Sequence, residues 1–336
     1  MDANLIVVLT HFHNRRTGVT RSIENVIPEL KKQCTTYLYG YGIEGEKITT
    51  SQLKKLLFSK ENTVVHCHRN NEILKMLWYR FLGAKFKLVA TRHAETEPSS
   101  FTKLLLKKSD EVVTLTSSMH KTLGIPNVKV PHGVDTSLFV PDSEKDLKNI
   151  TQKNIILCAG RVRKAKGQKI LLEAVSPELQ ENKDWALVVV GKVDKPPFLE
   201  ELKEITKKNN VEDQVYFIDE TLDIVSYYQA AKITVVPSFT EGFSLVCAEA
   251  MACGNTVVAT KNVGVHSELI TNPESGYLFN SGNITELQKI VKALISKELP
   301  QLGKKARKEI EKNWSAQKEA EDLVKVYKKA VKNLLQ

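Results

Sequence analysis

The sequence predicts an α/β protein built from two doubly wound, parallel-sheet domains, and three observations lead there. First, 336 residues of which 42% are hydrophobic exceed what one core comfortably serves. Second, short apolar or β-branched runs alternate with stretches of helical spacing, the pattern of parallel strands joined by crossover helices. Third, that pattern restarts once, near residue 150.

Taken in order, the candidate strands are Leu5–Leu9, Thr63–Cys67, Lys87–Thr91 and Glu111–Leu115, then Ile155–Ala159, Ala186–Val190, Val215–Ile218, Ile233–Val236 and Thr256–Ala259. Gly18–Lys32 and Gln168–Val175 carry helical periodicity. Before the restart, Val130-Pro-His-Gly-Val-Asp-Thr-Ser-Leu-Phe-Val-Pro-Asp-Ser-Glu-Lys-Asp146 sets two prolines, a glycine and a charged run against any regular element. A hinge is expected at 140–150, with domains 1–145 and 146–313 and a terminal segment 314–336. From Ser315 onward, Ala320, Leu323, Val324, Tyr327, Val331 and Leu334 recur at three-to-four spacing, which predicts an amphipathic helix.

Cys34, Cys67, Cys158, Cys247 and Cys253 lie in apolar runs without a Cys-x-x-Cys pair, so they read as reduced core thiols and favour the cytoplasm. Leu5–Leu9 is too short for a signal h-region and follows no basic leader. No apolar run approaches the roughly 20 residues of a membrane span. Lys and Arg outnumber Asp and Glu by 49 to 39, and residues 1–150 carry most of the excess. Such a field suits a phosphorylated acceptor, an anionic membrane surface or nucleic acid, or serves solubility alone.

The most informative segment is Val235-Val-Pro-Ser-Phe-Thr-Glu241-Gly-Phe-Ser-Leu-Val-Cys-Ala-Glu249-Ala-Met-Ala-Cys-Gly254. It reads as strand, loop, a helix from Phe243 or Ser244 to Cys253, and a glycine stop. The first amides of that helix lack internal partners and carry the positive dipole end, a ready site for a diphosphate. Glu241 precedes this end, and Glu249 lies roughly 7 Å farther along the axis. Both could accept from hydroxyls. The blander alternative is a loop charge and a solvated helix residue. Gly160-Arg-Val-Arg-Lys-Ala-Lys166-Gly follows Ile155–Ala159 and so occupies a loop at the carboxyl end of a strand, where α/β sheets bind ligands.

Pro-Ser-x-x-Glu-Gly-Phe-x-Leu-x-x-x-Glu-Ala-Met-Ala-x-Gly, with Gly160-Arg-x-x-x-x-Lys-Gly, resembles the donor motifs of retaining glycosyltransferases of family 4. The resemblance implies the GT-B fold, two Rossmann-like domains facing across a cleft, with the final helix crossing back to the first. It implies that Glu241 faces the transferred sugar and Glu249 holds the ribose. It further implies that Gly242, Phe243, Ser244 and Leu245 line the sugar and phosphates, and that Arg161 and Lys166 clamp the diphosphate. Leaving-group charge must be met by cations or a metal. The sequence has no Asp-x-Asp, so no metal site and no cofactor are expected.

In the first domain Gly18 starts a helix after the opening strand and permits close backbone approach by donor phosphates. Arg15-Arg-Thr-Gly-Val-Thr20 is similar to a stretch of lipopolysaccharide core mannosyltransferases, and Arg15, Arg16 and Arg21 would suit a carboxylate or phosphate on the acceptor. His93 follows a strand end where the family places a histidine on the donor sugar. His66 and His68 match a Val-His-x-His strand end and read as architectural. His132 replaces the asparagine of the family's linker motif, and Val263-Gly-Val stands where paired glycines are common. Leu74–Lys87 and Phe101–Lys108 are either crossover helices or segments that rest on an anionic bilayer.

The expected activity is retaining transfer of a hexose, mannose from GDP-mannose by resemblance, to a glycan or lipid-linked acceptor such as lipopolysaccharide inner core. The expected setting is the cytoplasm or the inner membrane face, with nucleic acid not a partner. A GT-B sugar-nucleotide epimerase and a non-catalytic basic module that binds membrane or nucleic acid are the alternatives.

Overall fold

The computed structural model describes residues 2–59, 62–142 and 144–332. In chain order its first elements are β1 (Asp2–Phe12), α1 (Gly18–Gln33), β2 (Cys34–Tyr41), α2 (Thr50–Leu57), β3 (Thr63–Cys67), α3 (Asn70–Phe81), β4 (Lys87–Arg92), α4 (Ser100–Lys107), β5 (Glu111–Thr114), α5 (Ser117–Thr122) and β6 (Val128–Lys129). There follow β7 (Asn154–Ala159), α6 (Gln168–Glu181), β8 (Trp185–Val190), α7 (Pro196–Lys208), β9 (Val215–Ile218), α8 (Ile224–Ala230), β10 (Ile233–Val236), α9 (Leu245–Ala252), β11 (Thr256–Thr260), α10 (His266–Leu269), β12 (Tyr277–Phe279), α11 (Ile284–Ile295), α12 (Gly303–Asn313) and α13 (Ala316–Lys332). The chain divides into two units, Met1–Asp135 with Trp314–Gln336, and Thr136–Asn313.

In the first unit the strands lie in the order β2-β1-β3-β4-β5-β6 and all pair in parallel. Strand periodicity sorts its core. Leu5, Val7, Leu9 and Val64 face α1 and α13, whereas Val8, Val65 and Cys67 face α2, α3 and α4. Helices on both faces make the sheet doubly wound. The second unit repeats the design with the order β12-β11-β10-β7-β8-β9, again parallel. Its strands β8, β10 and β11 are buried throughout, which is why they read as continuous apolar runs rather than alternating ones.

The structure moves the unit boundary from the expected 145/146 to 135/136. The irregular stretch after Asp135 is tied to the second unit by Arg307 of α12, whose guanidinium donates to the carbonyls of Thr136 (2.9 Å), Phe139 and Ala252 (2.8 Å). Gly133 closes the first unit instead. A Cβ there would lie 2.2 Å from the Ser315 carbonyl oxygen, and the adjacent Val134 N–H donates to Trp314 O at 2.9 Å. This contact delivers α13 onto α1 and the first sheet. Leu334, part of the terminal-helix pattern, lies outside the described residues.

Candidate functional site

In the second unit the chain leaves β10 at Val236, crosses a loop and enters α9 at Leu245. Ser244 caps that helix in the left-handed region, φ 95°, a conformation that costs a non-glycine residue on the order of 1–3 kcal/mol and needs its surroundings to hold it. His266 does so. Its Nδ1 lies 2.9 Å from the Thr260 carbonyl, to which it donates, so Nε2 accepts from the Ser244 hydroxyl at 2.9 Å. Burial pushes the His266 pKa down, against the opposing charge of Glu241, which keeps the ring neutral in that role. Cys247 and Ala248 both donate to Ser244 O. The N–H groups of Leu245 and Val246 therefore have no helical carbonyl one turn back.

Glu241 stands just before this helix start. Its Oε1 accepts from Lys166 Nζ at 2.6 Å and from the Ser238 hydroxyl at 2.7 Å, with the Lys166 and Glu241 side chains 17% and 10% exposed. Burial by itself would raise the carboxyl pKa. The charge and hydrogen bond of Lys166, then His266 and Ser238, outweigh burial and bring it below its ordinary value. Gly264 makes the room, since a Cβ there would lie 2.7 Å from Glu241 Cβ. The Lys166 loop is locked to the Glu241 loop by Phe239 N–H donating to Ala165 O at 2.9 Å.

Arg161 is half exposed and 3.8 Å from Asp194. Gly242 is partly exposed, while Phe243 and Leu245 are buried. Glu249 is fully buried within α9 and accepts from the Tyr228 hydroxyl at 3.0 Å. It is thus no solvated helix residue, and it points into a polar pair inside the fold.

In the first unit Gly18 opens α1 and is exposed, with nothing within 4 Å of where a Cβ would stand. Arg15 is exposed. Arg16 is engaged by Glu24 at 2.8 Å and Glu44 at 3.4 Å, so its charge is largely spoken for. Arg21 is partly exposed on α1.

His93 belongs to a chain of side chains. Glu319 of α13 accepts from Gly133 N–H at 2.7 Å and lies 2.8 Å from His132 Nδ1. His132 Nε2 is 3.3 Å from His93 Nδ1, and His93 Nε2 is 3.1 Å from His68 Nδ1. A carboxylate only accepts, so with neutral rings each in turn donates from Nδ1 and receives at Nε2. Both nitrogens of His93 are then occupied, and His68 Nε2 is left as a buried acceptor without a partner. Burial pushes His68 and His93 well below the histidine range and His66 to about 3. These rings are neutral near pH 7.

The sequence reading named Glu241, Lys166, Ser244 and His93 but not the residues that hold them. His266, Tyr228, Glu319 and the buried Glu72, which accepts from Thr10 Oγ1, Phe12 N–H and His68 N–H, came from no motif. Polar residues in otherwise apolar helical spacing, as at Glu319 beside Ala320, were the available signal. Among the described residues no group of three or more His, Cys, Asp or Glu side chains is arranged to hold a metal ion, and no helix is long and apolar enough to cross a membrane.

Two six-stranded parallel sheets, each with flanking helices, are the architecture of the GT-B class of transferase fold. The solved structure of Anabaena Alr3699/HepE in complex with UDP matches 96% of this chain and 99% of that one with a TM-score of 0.80 at 17% identity, which establishes the fold. The family described as glycosyl transferases group 1 matches residues 140–331. The chain belongs to that family and is a glycosyltransferase. Among curated relatives, the lipopolysaccharide core biosynthesis mannosyltransferase LpsB of Rhizobium meliloti (strain 1021) is 28% identical over 96% of each chain. The corresponding LpcC protein of Rhizobium leguminosarum bv. viciae is 28% identical over 96% of this chain and 95% of its own.

Proposed function

We propose that this glycosyltransferase moves a hexose, mannose from GDP-mannose, onto a glycan or lipid-linked acceptor of the lipopolysaccharide inner core, with retention at the anomeric carbon and without a metal ion. The Lys166–Glu241 pair at the start of α9 carries the reading. As the glycosidic bond breaks, its electron pair leaves on the diphosphate oxygen and positive charge builds on the sugar ring. Lys166 keeps two ammonium donors beyond the one given to Glu241, and with Arg161 and the free amides of α9 it meets the leaving charge. Glu241, held ionised by Lys166, faces the sugar. The family motif makes Glu249 the acceptor for ribose hydroxyls, although in this structure it is buried against Tyr228. The names of the two full-length relatives and the Arg15-Arg-Thr-Gly-Val-Thr20 likeness support mannose and the core acceptor.

A peripheral site on an anionic membrane face fits a lipid-linked acceptor. Supporting it, α3 and α4 pack together and expose Leu74, Trp78, Phe81, Phe101 and Leu104, with Phe81 79% exposed. Lysines and arginines lie in the same two segments.

The test is a thermal-shift panel of UDP, GDP and ADP sugars on the full chain, followed by turnover in EDTA. GDP-mannose should give the largest stabilisation and EDTA should leave transfer intact. Glu241→Ala should lower mainly kcat and Glu249→Ala mainly donor affinity. Product from the nucleotide sugar alone would favour an epimerase, and no stabilisation by any nucleotide would overturn the donor reading.

A further inference from the structure

A cavity of about 380 Å³ lies within the first unit, where β3 and β4 end and α3 begins. Its walls include Arg69, Arg92, His68, His93, Asn70 and His13. Its volume is that of a site for a small ligand, and its chemistry is out of balance. Arg69 donates from Nη2 to Thr17 Oγ1 at 3.1 Å, and Arg92 from Nη2 to the Thr96 carbonyl at 2.8 Å. The Nε atoms of both are buried without a partner. Among the described residues neither guanidinium lies within ion-pair distance of a carboxylate. Glu72, the nearby acid, is committed to Thr10, Phe12 and His68.

Two other arginines of this unit make the contrast. Arg16 is matched by Glu24 and Arg80 by Asp110. A buried donor left unmade costs about 1–3 kcal/mol, more when charged, so a cavity with two such guanidinium groups is arranged for a guest that supplies acceptors. His68, 9% exposed, lines the same cavity with Nε2 unpartnered. It can accept from a hydroxyl of the same guest. Asn70 and Asn71, the first residues of α3, also line the cavity. Burial lowers the Arg92 pKa, the direction expected of a cation short of counter-charge.

We propose that this cavity is a subsite for an acidic sugar, its carboxylate or phosphate bound by Arg69 and Arg92 and a neighbouring hydroxyl by His68. Resting on the transferase reading above, the proposal makes an acidic sugar the acceptor class. It also reassigns the anion contact from Arg15, Arg16 and Arg21, of which Arg16 is already paired, to the two arginines whose Nε atoms are buried without a partner. Guanidinium forks match the planar carboxylate and the phosphate edge alike.

Calorimetric titration of the full chain with glucuronate, glucose 6-phosphate and methyl glucoside tests it. One of the two acidic sugars should bind at least about ten-fold more tightly than the neutral one, and which of them does so distinguishes carboxylate from phosphate. Arg69→Gln and Arg92→Gln should each weaken that binding about ten-fold, the worth of a charge-assisted bond. Lys31→Gln, an equal charge change on the exposed face of α1, should not. Melting temperatures of the variants, measured alongside, separate loss of binding from loss of fold. Should either fail to fold, Arg69→Lys and Arg92→Lys retain the charge, lose the fork and should still weaken binding. Equal binding of all three sugars, or indifference to every arginine variant, overturns the proposal. Displacement of the acidic sugar by nucleoside diphosphate overturns it too, by giving the cavity to donor phosphates. The donor reading is judged separately by the nucleotide panel, so acidic-sugar binding without donor binding, or the reverse, tells the two apart.

Discussion

Replacing Lys166 with Met leaves Glu241 in place but removes the cation that keeps it charged. The two side chains are 17% and 10% exposed and 2.6 Å apart, so water compensates little of the loss. Breaking a buried pair by deleting one partner costs 3–5 kcal/mol, and the residual exposure places this case near the lower end, at about 3 kcal/mol. For a unit of this size each kcal/mol moves the melting temperature by roughly 2–4 °C, so Lys166→Met should melt roughly 6–12 °C lower at pH 7.5.

The sign with pH is specific. In the parent the Glu241 pKa is depressed, so its contribution is full above the unfolded value near 4.5 and is lost as pH falls through the folded value. In Lys166→Met burial dominates and raises that pKa, so the carboxyl takes up a proton on acidification and the penalty shrinks. The gap between variant and parent should therefore narrow markedly between pH 7.5 and pH 5. Adding Glu241→Gln to Lys166→Met should restore most of the lost stability at pH 7.5, because it removes the unpaired charge. Scanning calorimetry of the four proteins at both pH values reads all of this. A gap that does not change with pH, or a double variant no more stable than Lys166→Met, would refute the ion-pair account of Glu241.

Three further outcomes follow from the same geometry. Tyr228→Phe removes one donor to the buried Glu249 and should cost about 1–3 kcal/mol, with weaker donor binding in the nucleotide panel; an unchanged melting point would count against it. Because His66, His68 and His93 are held neutral by burial, the unfolded chain gains protons that the folded chain refuses as pH drops below about 6.5. Stability should then fall by up to about 4 kcal/mol per pH unit toward pH 5, and a flat urea midpoint over that window would refute it. Trp78→Ser with Phe81→Ser should reduce binding to anionic phospholipid vesicles about ten-fold or more, read by co-sedimentation, and equal binding would move the membrane face elsewhere.

The strands were legible because β1, β3 to β5, β7, β8, β10 and β11 are largely buried runs bounded by polar or glycine-bearing loops, a pattern local to a few residues, and β9, though only Val215 of it is buried, is a short apolar run of the same kind. β2 was not, since Cys34–Tyr41 follows α1 without a glycine or proline break. β6 and β12, at two and three residues, are too short to show any periodicity. The unit boundary at 135/136 differs from the expected hinge at 140–150 for a physical reason. Composition marks where regular structure stops, but which unit owns an irregular stretch depends on a distant side chain, here Arg307.

The same distinction runs through the candidate site. Glu241 and the start of α9 belong to one contiguous motif, and their position before a helix end follows from local geometry. That Lys166 meets Glu241 across 75 positions of sequence could be inferred only through the resemblance, because both loops leave the carboxyl edge of one parallel sheet. What no local pattern encodes is whether a polar side chain is satisfied. Arg16 and Arg69 look alike in sequence, one in a basic loop and one before a helix. The fold gives Arg16 two carboxylates and gives Arg69 a hydroxyl with a buried Nε left over. Ligand sites arise where such pairing is left incomplete, because there an incoming group recovers a desolvation cost already incurred on folding. That is why the acidic-sugar subsite had to be found from unmade hydrogen bonds rather than from charge along the chain.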